Sequence, residues 1–453
     1  MSRSENRGRA VDLTSRLRSI VRPPGSRSEL RYEPDTGRYE ATIDIDRVAD
    51  VLGGRPLTTA FGRAVVVDRR YESDRRHGHV RIGDCEIEDG ECLRVLDGAL
   101  APPDGTGSRI LFVDLETTGL SGGAGTIAFL VGCAWFDIGA LQVRQFLLTS
   151  YAAERALLAA VAECFDDTAL LVTYNGKTFD VPVMETRWLF HRMEMPLDGV
   201  RHFDMLHPAR RLWRDRPDGV AADAYADGDA GCRLATLERV LFGVRRVGDV
   251  PGMEIPSRYF RFLRSGNAAP LEPVLEHNRL DLVSLAAVTA HAARLAHEGS
   301  DACRDGSEAL ALGRVYERAG AVDRALACYG RAARDSHAAV DVKGEALYRI
   351  GLRHRRERRF AEAAAIWREL RDLDGGSRPL MTELRRFAAE ALAVHHEHRE
   401  RDLEGARELA LLALEEADGA SFHVKAEATR HRLSRLDRKL AQKKDSHLFG
   451  GCI

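Results

Sequence analysis

Residues 109–120 read RILFVDLETTGL. Ile110 to Val113 is a short apolar run that stops at acids, the pattern of a buried strand. Side chains two apart on a strand share a face. Asp114 and Glu116 therefore converge on one point, where the strand meets the loop Thr117-Thr118-Gly119-Leu120. Paired carboxylates repel each other and resist desolvation, and a bound cation removes that cost. Hard carboxylate oxygens suit Mg2+ or Mn2+. Taken alone, such a pair is more often the solvated start of a loop.

Working outward, Thr126 to Phe136 is a second strand, Asp137-Ile138-Gly139-Ala140 a hairpin connection, and Leu141 to Leu148 a third strand. Glu154 to Cys164 has helical periodicity. Ala169 to Tyr174 is a fourth strand, closed by the turn pair Asn175-Gly176. Pro182 opens another helix, in a first-turn position that proline favours. Arg233 to Phe242 reads as a helix stopped by Gly243, and Leu271 to Ala296 as a long one.

Two further acidic positions lie on these elements. Asp180 precedes Pro182 at a helix start, where an N-cap is the plain alternative. A cap does not need the Asn175 and Phe179 that come before it. His277 and Asp281 sit four apart in the long helix, so they share a face one turn apart. Alone, that pair is usually a surface contact.

Each feature is weak, but together and in this order they resemble the three exonuclease motifs of the DEDD superfamily. Asp114-x-Glu116 with Thr-Thr-Gly resembles the first, Asn175 through Phe179-Asp180 the second, and His277 with Asp281 the third. Three strands, a helix and a strand is also the opening order of a ribonuclease-H-like fold. His202-Phe203-Asp204 through Trp213, then Leu237-Glu238, Gly243, Pro251-Gly252 and Ile255-Pro256, are similar to bacterial YprB-like ribonuclease-H-like proteins, which carry tetratricopeptide helices after the nuclease domain. One departure concerns the histidine. The histidine subgroup places it five residues before the last aspartate, whereas here the separation is four, as in the tyrosine subgroup. Four helical positions turn about 40° and five about 140°.

The resemblance implies a metal-dependent nuclease, a 3′–5′ exonuclease on DNA or RNA with a single-stranded end. Asp114, Glu116, Asp180 and Asp281 are the implied ligands of two ions, Mg2+ or Mn2+, and His277 the implied base. Thr117, Thr118, Asn175, Arg210 and Arg211 are candidate substrate-binding residues, with Arg214 beside them. Asp204 is a candidate auxiliary acid. Lys177 reads as a phosphate contact or a solvated loop lysine, and Trp213 and Tyr259 as stacking residues or, more commonly, core. Two alternatives stand beside this reading. One is a catalytically weak nucleic-acid-binding adaptor that recruits a partner through its helices. The other is a structure-selective endonuclease using the same centre.

The helices begin near Ser307. Leu312-Gly313, Tyr316, Ala325, Tyr329 and Ala332 fall at tetratricopeptide spacings, and Ile350-Gly351, Ala363, Trp367 and Leu370 repeat them 38 residues later. Ala406, Ala410 and Ala413 make a weaker third copy. An ordinary helical bundle is the plain alternative.

The expected fold is thus an α/β ribonuclease-H-like domain, a mixed sheet flanked by helices, followed by an all-α tetratricopeptide-like repeat domain. The expected order is a basic flexible tail (1–31), a small β-rich segment (32–107), the nuclease domain (108–298, with a disordered insertion at 217–231), the repeats (307–440) and a tail (441–453). A protein partner is expected on the repeats.

Totals agree with two or three domains in 453 residues. With 44% hydrophobic and 30% charged residues the chain is globular in composition. No run of eighteen apolar residues reads as a membrane span, and the N-terminus lacks a signal peptide's apolar core, so a cytoplasmic protein is expected. The eight cysteines form no C-x-x-C pair and no zinc spacing. A net charge of −2 argues against a uniformly basic binder. Local patches contact phosphate, however, and residues 1–31 hold eight arginines against three acids.

Overall fold

The computed structural model describes residues 43–449 apart from 89, 104–106, 120–124, 215–231, 377 and 419–422. The expected basic tail and the expected insertion at 217–231 lie outside the described residues.

The chain enters with α1 (Ile45–Leu52), β1 (Arg55–Thr59) and β2 (Gly62–Tyr71). After a connection that holds a small hairpin (Arg76–His77 with Val80–Arg81), two 3-10 turns (Ile82–Cys85 and Gly90–Cys92) and one helical turn (Leu93–Leu96) come β3 (Arg109–Thr117), β4 (Ala128–Asp137), β5 (Ala140–Leu147), α2 (Glu154–Ala162), β6 (Thr168–Thr173), α3 (Asp180–Phe190), β7 (Arg201–Asp204) and α4 (Leu206–Trp213). Three helices follow, α5 (Leu234–Phe242), α6 (Ile255–Ser265) and α7 (Glu272–Glu298). One seven-stranded sheet runs β1-β2-β5-β4-β3-β6-β7. The pairs from β1 to β3 are antiparallel, and β3-β6 and β6-β7 are parallel. Ile138 and Gly139, both at positive φ, close the β4–β5 hairpin in the turn form whose twist matches the strands.

Within the expected β-rich segment 32–107, β1 is an edge strand of the main sheet and β2 lies inside it, between β1 and β5. Val65 to Val67 are buried and pair with β5. Alternation alone could not reveal that partner, since it fixes a strand's faces but not its neighbour.

Alternation does divide the core. Leu111, Val113 and Leu115 face one side of the sheet, with α2, α3 and α6. Phe112 faces the other, with α4, α5 and α7. Asp114 and Glu116 share the side of Phe112, so the acids look toward α7. Full burial of each such apolar side chain contributes about 1.5–3 kcal/mol.

A stack of antiparallel helix pairs follows: α8 (Gly306–Arg318), α9 (Val322–Arg334), α10 (Val340–Arg356), α11 (Phe360–Asp372), α12 (Pro379–His395), α13 (Leu403–Asp418) and α14 (His423–Phe449). The 38-residue period has a packing cause. A Cβ on Gly313 would stand 2.5 Å from Tyr329, and one on Gly351 would stand 2.3 Å from Trp367. Equivalent glycines thus admit equivalent aromatics from the second helix of each pair. The expected tail at 441–453 is helical as far as Phe449.

The two halves share a core. Apolar residues from Phe112 and Leu282 through Leu312, Tyr316 and Ile350 form one cluster. At the seam lies Glu308, which is fully buried. Its Oε1 accepts from Trp213 Nε1 at 2.8 Å and lies 3.2 Å from His291 Nε2, while its Oε2 accepts the Arg304 N–H at 2.8 Å. Burial alone would raise the Glu308 carboxyl, but the His291, Arg304 and Trp213 bonds outweigh it and hold it at about 2. No described helix is long and apolar enough to cross a membrane.

Candidate active site

Gly132 of β4 sits directly opposite Asp114 of β3. A Cβ there would meet Asn278 Oδ1 at 2.2 Å, so the glycine lets α7 lie against the sheet at this point. Asn278 is fully buried. Its Nδ2 donates to the Asp114 carbonyl at 3.1 Å and to Asp114 Oδ2 at 2.7 Å. Its Oδ1 accepts from Gln145 Nε2 at 2.7 Å. Gln145 in turn bonds the Leu275 carbonyl and accepts from Arg279. This satisfied polar chain fixes α7 to the strand end that carries the acids.

The docking brings the acids within reach of one another's charge. Burial, then the charges of Asp281, Glu116 and Asp180, push the Asp114 carboxyl well above its ordinary value. Burial, then Asp281, Asp180 and Asp249, do the same to Glu116. Asp180, 5% exposed at the start of α3, is raised to about 7 by burial and by Asp204. These shifts have the cause expected where several carboxylates share one poorly solvated place.

His277 and Asp281 also meet. His277 Nε2 lies 3.4 Å from Asp281 Oδ2, and its Nδ1 lies 2.6 Å from Asp249 Oδ1. A carboxylate only accepts, so Nδ1 carries the proton on that side. Burial would raise Asp249, but the His277 bond and the nearby Arg246 outweigh it and hold it below its ordinary value.

Asp281 has a second partner. Arg246 Nη2 donates to Asp281 Oδ1 at 2.5 Å. The same guanidinium grips Glu238 twice, at 2.6 and 2.9 Å, and reaches Asp249 at 3.3 Å. Glu238 also accepts from Ser284, whose oxygen lies 2.8 Å from His77 Nε2. Burial and the Arg246 charge keep His77 low, at about 4, so it is a neutral member of this chain.

Other expected residues have structural partners. Thr117 Oγ1 donates to the Gly119 carbonyl at 2.7 Å, and Thr118 Oγ1 accepts the Ile127 N–H at 3.1 Å. Both brace the bulge after Glu116. Asn175 takes a left-handed backbone, φ 68°, and its Oδ1 accepts from Thr178. Asp204, expected as an auxiliary acid, accepts the backbone N–H groups of Asn175, Lys177 and Leu206 at 2.8, 3.0 and 3.1 Å. It folds the loop before Asp180 and lends Asp180 its charge. Lys177 Nζ lies 3.0 Å from Asp97. Arg211 donates to the Leu96 carbonyl and lines a groove with α8 and α10, so α4 turns it toward the helical half. Trp213 and Tyr259 are core, the latter stacked on Phe129 at 4.1 Å.

Arg246, Asp249 and Glu238 had no role in the sequence reading beyond the Leu237-Glu238 resemblance. The signal available was Arg246 and Asp249 three apart in a short polar loop between Gly243 and Pro251.

Among the described residues, no three His, Cys, Asp or Glu side chains meet as a group able to hold a metal ion. Two of the acids are already held by nitrogen donors, Asp114 by Asn278 and Asp281 by Arg246. The donor chemistry nevertheless suits a hard divalent cation: the atoms are carboxylate oxygens, and burial together with the charges of Asp281 and Asp180 raises the carboxyls of Asp114 and Glu116, a cost that such an ion relieves.

Residues 111–293 match the RNase_H_2 family model of the RNase_H superfamily. The chain is also similar to the "Uncharacterized protein YprB" of Bacillus subtilis (strain 168). The two are 31% identical over 395 residues, which cover 86% of this chain and 89% of that protein.

Proposed function

This chain belongs to the YprB-like family of ribonuclease-H-like proteins, and from that premise we propose that it is a metal-dependent nuclease that trims DNA or RNA from a 3′ end. One observation carries the reading. Burial and the charges of Asp281 and Asp180, which come from two other elements, raise the carboxyls of Asp114 and Glu116 at the end of β3. That arrangement costs stability, and a metal site gives it a use.

Asp114, Glu116, Asp180 and Asp281 are the residues that would hold two divalent ions, Mg2+ or Mn2+, which activate a water and neutralise the leaving 3′ oxygen. The chain's own groups do the rest. Asp249 fixes the ring of His277 through Nδ1, which leaves Nε2 to accept the proton of the attacking water. Asn278 holds Asp114 in one rotamer. Asp204 holds the loop that positions Asp180. Thr117 and Thr118 brace the register shift that follows Glu116. The nuclease unit in this reading spans 108–298, and 307–440 are tetratricopeptide-like repeats whose partner is a protein.

The test is cleavage of 5′-labelled single-stranded DNA and RNA by the purified chain with Mg2+ or Mn2+, beside Asp114→Ala/Glu116→Ala. A ladder shortening from the 3′ end, lost in the variant by two or more orders of magnitude, is the expected result. A ladder that survives the double substitution sinks the assignment. No cleavage of any substrate by the wild type supports the adaptor reading, which the Arg246 contact on Asp281 favours.

A further inference from the structure

The acidic cleft contains a cation of its own. Arg246 is 7% exposed and Glu238 1% exposed, so their pair is fixed from beneath and cannot swing freely into water. Two guanidinium N–H groups are spent on Glu238. The outer edge of the same planar fork faces Asp281 at 2.5 Å and Asp249 at 3.3 Å. Glu238 is tied in turn to Ser284 of α7, one turn beyond Asp281. This is a built contact between the 243–251 loop and the helix that bears the last acid. It occupies one of the oxygens that a metal ion would need.

We propose that Arg246, anchored on Glu238, is the resident counter-cation of the acidic cleft: it neutralises Asp281 while no divalent ion is bound, and an incoming ion has to take Asp281 from it. The proposal rests on the metal-dependent reading above. Its consequence is a site that stays folded without metal and binds metal weakly. The ion competes with the guanidinium for Asp281 and also feels its charge, and both effects oppose binding. Loss of the guanidinium would free the Asp281 rotamer and so oppose binding too. That effect is the smaller one, because α7 remains docked through Asn278 and His277 still touches Asp281.

The experiment is Mn2+ titration of the full chain, followed by calorimetry and by the electron paramagnetic resonance of free Mn2+. Wild type is compared with Arg246→Met/Glu238→Gln, which removes both members of the buried Arg246–Glu238 pair and leaves Asp281 without its guanidinium partner. The double variant is expected to bind Mn2+ at least tenfold more tightly. It is also expected to melt below wild type in chelator and to recover on adding Mn2+. Arg246→Lys keeps the charge and stays within about threefold of wild type; it serves as the folded comparison if the double variant is unstable, and an Arg246→Lys affinity that rises tenfold contradicts the charge argument. Unchanged or weaker Mn2+ binding in the double variant, with wild type binding normally, overturns the role of Arg246 and leaves the nuclease reading intact. Binding by neither protein overturns both.

Discussion

Replacing Asp180 by asparagine removes a charge from the cleft and keeps the side chain's shape. Asp180 is 5% exposed, and its carboxyl stands at about 7 against an ordinary 3.8. Between those values the folded chain keeps a proton that the unfolded chain has released, so stability falls as pH rises through that window. Above about pH 7 the whole penalty stands, and below 3.8 it is gone. At about 1.36 kcal/mol per pH unit, the gap amounts to about 4 kcal/mol. Asp204 supplies part of it, and an asparagine must still accept the backbone bond at the helix start, so about 2–4 kcal/mol is the expected gain. The assay is urea unfolding in chelator from pH 5 to 8. Asp180→Asn should outlast wild type by a margin that grows with pH and levels off above about 7. Added Mn2+ should narrow the margin, because only the carboxylate gains from the ion. A margin independent of pH, or a less stable variant, would refute the view that this acid is held at a cost.

Gly132→Ala places a methyl 2.2 Å from Asn278 Oδ1 and 2.8 Å from Leu282. Overpacking of about 1–3 kcal/mol, together with a disturbed buried amide, should lower urea stability and also weaken Mn2+ uptake, since α7 must back away from Asp114. A neutral result would mean the helix is not seated this closely. Glu308→Gln should cost about 3 kcal/mol at pH 7, from the gap between 4.5 and about 2. A depressed carboxyl stabilises above its unfolded value and loses that contribution as pH falls through the folded one. The difference in urea should therefore shrink between pH 4.5 and 2, and a constant difference would contradict the assigned cause.

What was legible in the sequence was what periodicity fixes. The two-residue repeat put Asp114 and Glu116 on one face of a strand, and the four-residue spacing put His277 beside Asp281. The Ile138-Gly139 turn and the Gly243 stop were local matters of backbone conformation. The 38-residue repeat of Gly313 and Gly351 was visible because it answers to aromatics at the same interval. What escaped was set by partners far away in the chain. Nothing local marks β2 as a neighbour of β5, or Asp204 as the acceptor of three backbone N–H groups. Arg246 reads as one more loop arginine until Glu238 and Asp281 are seen around it.

The shared interior of the two halves has a mechanical consequence. α7 is 27 residues long, about 40 Å of stiff rod. Asp281 lies about 15 Å along that rod from His291, where Glu308 clamps the first helix of the stack. With no slack tether between them, the stack is a handle welded to the bar that carries Asn278, His277 and Asp281. A load placed on its far helices reaches the acids as strain along one axis rather than being lost in a swivel.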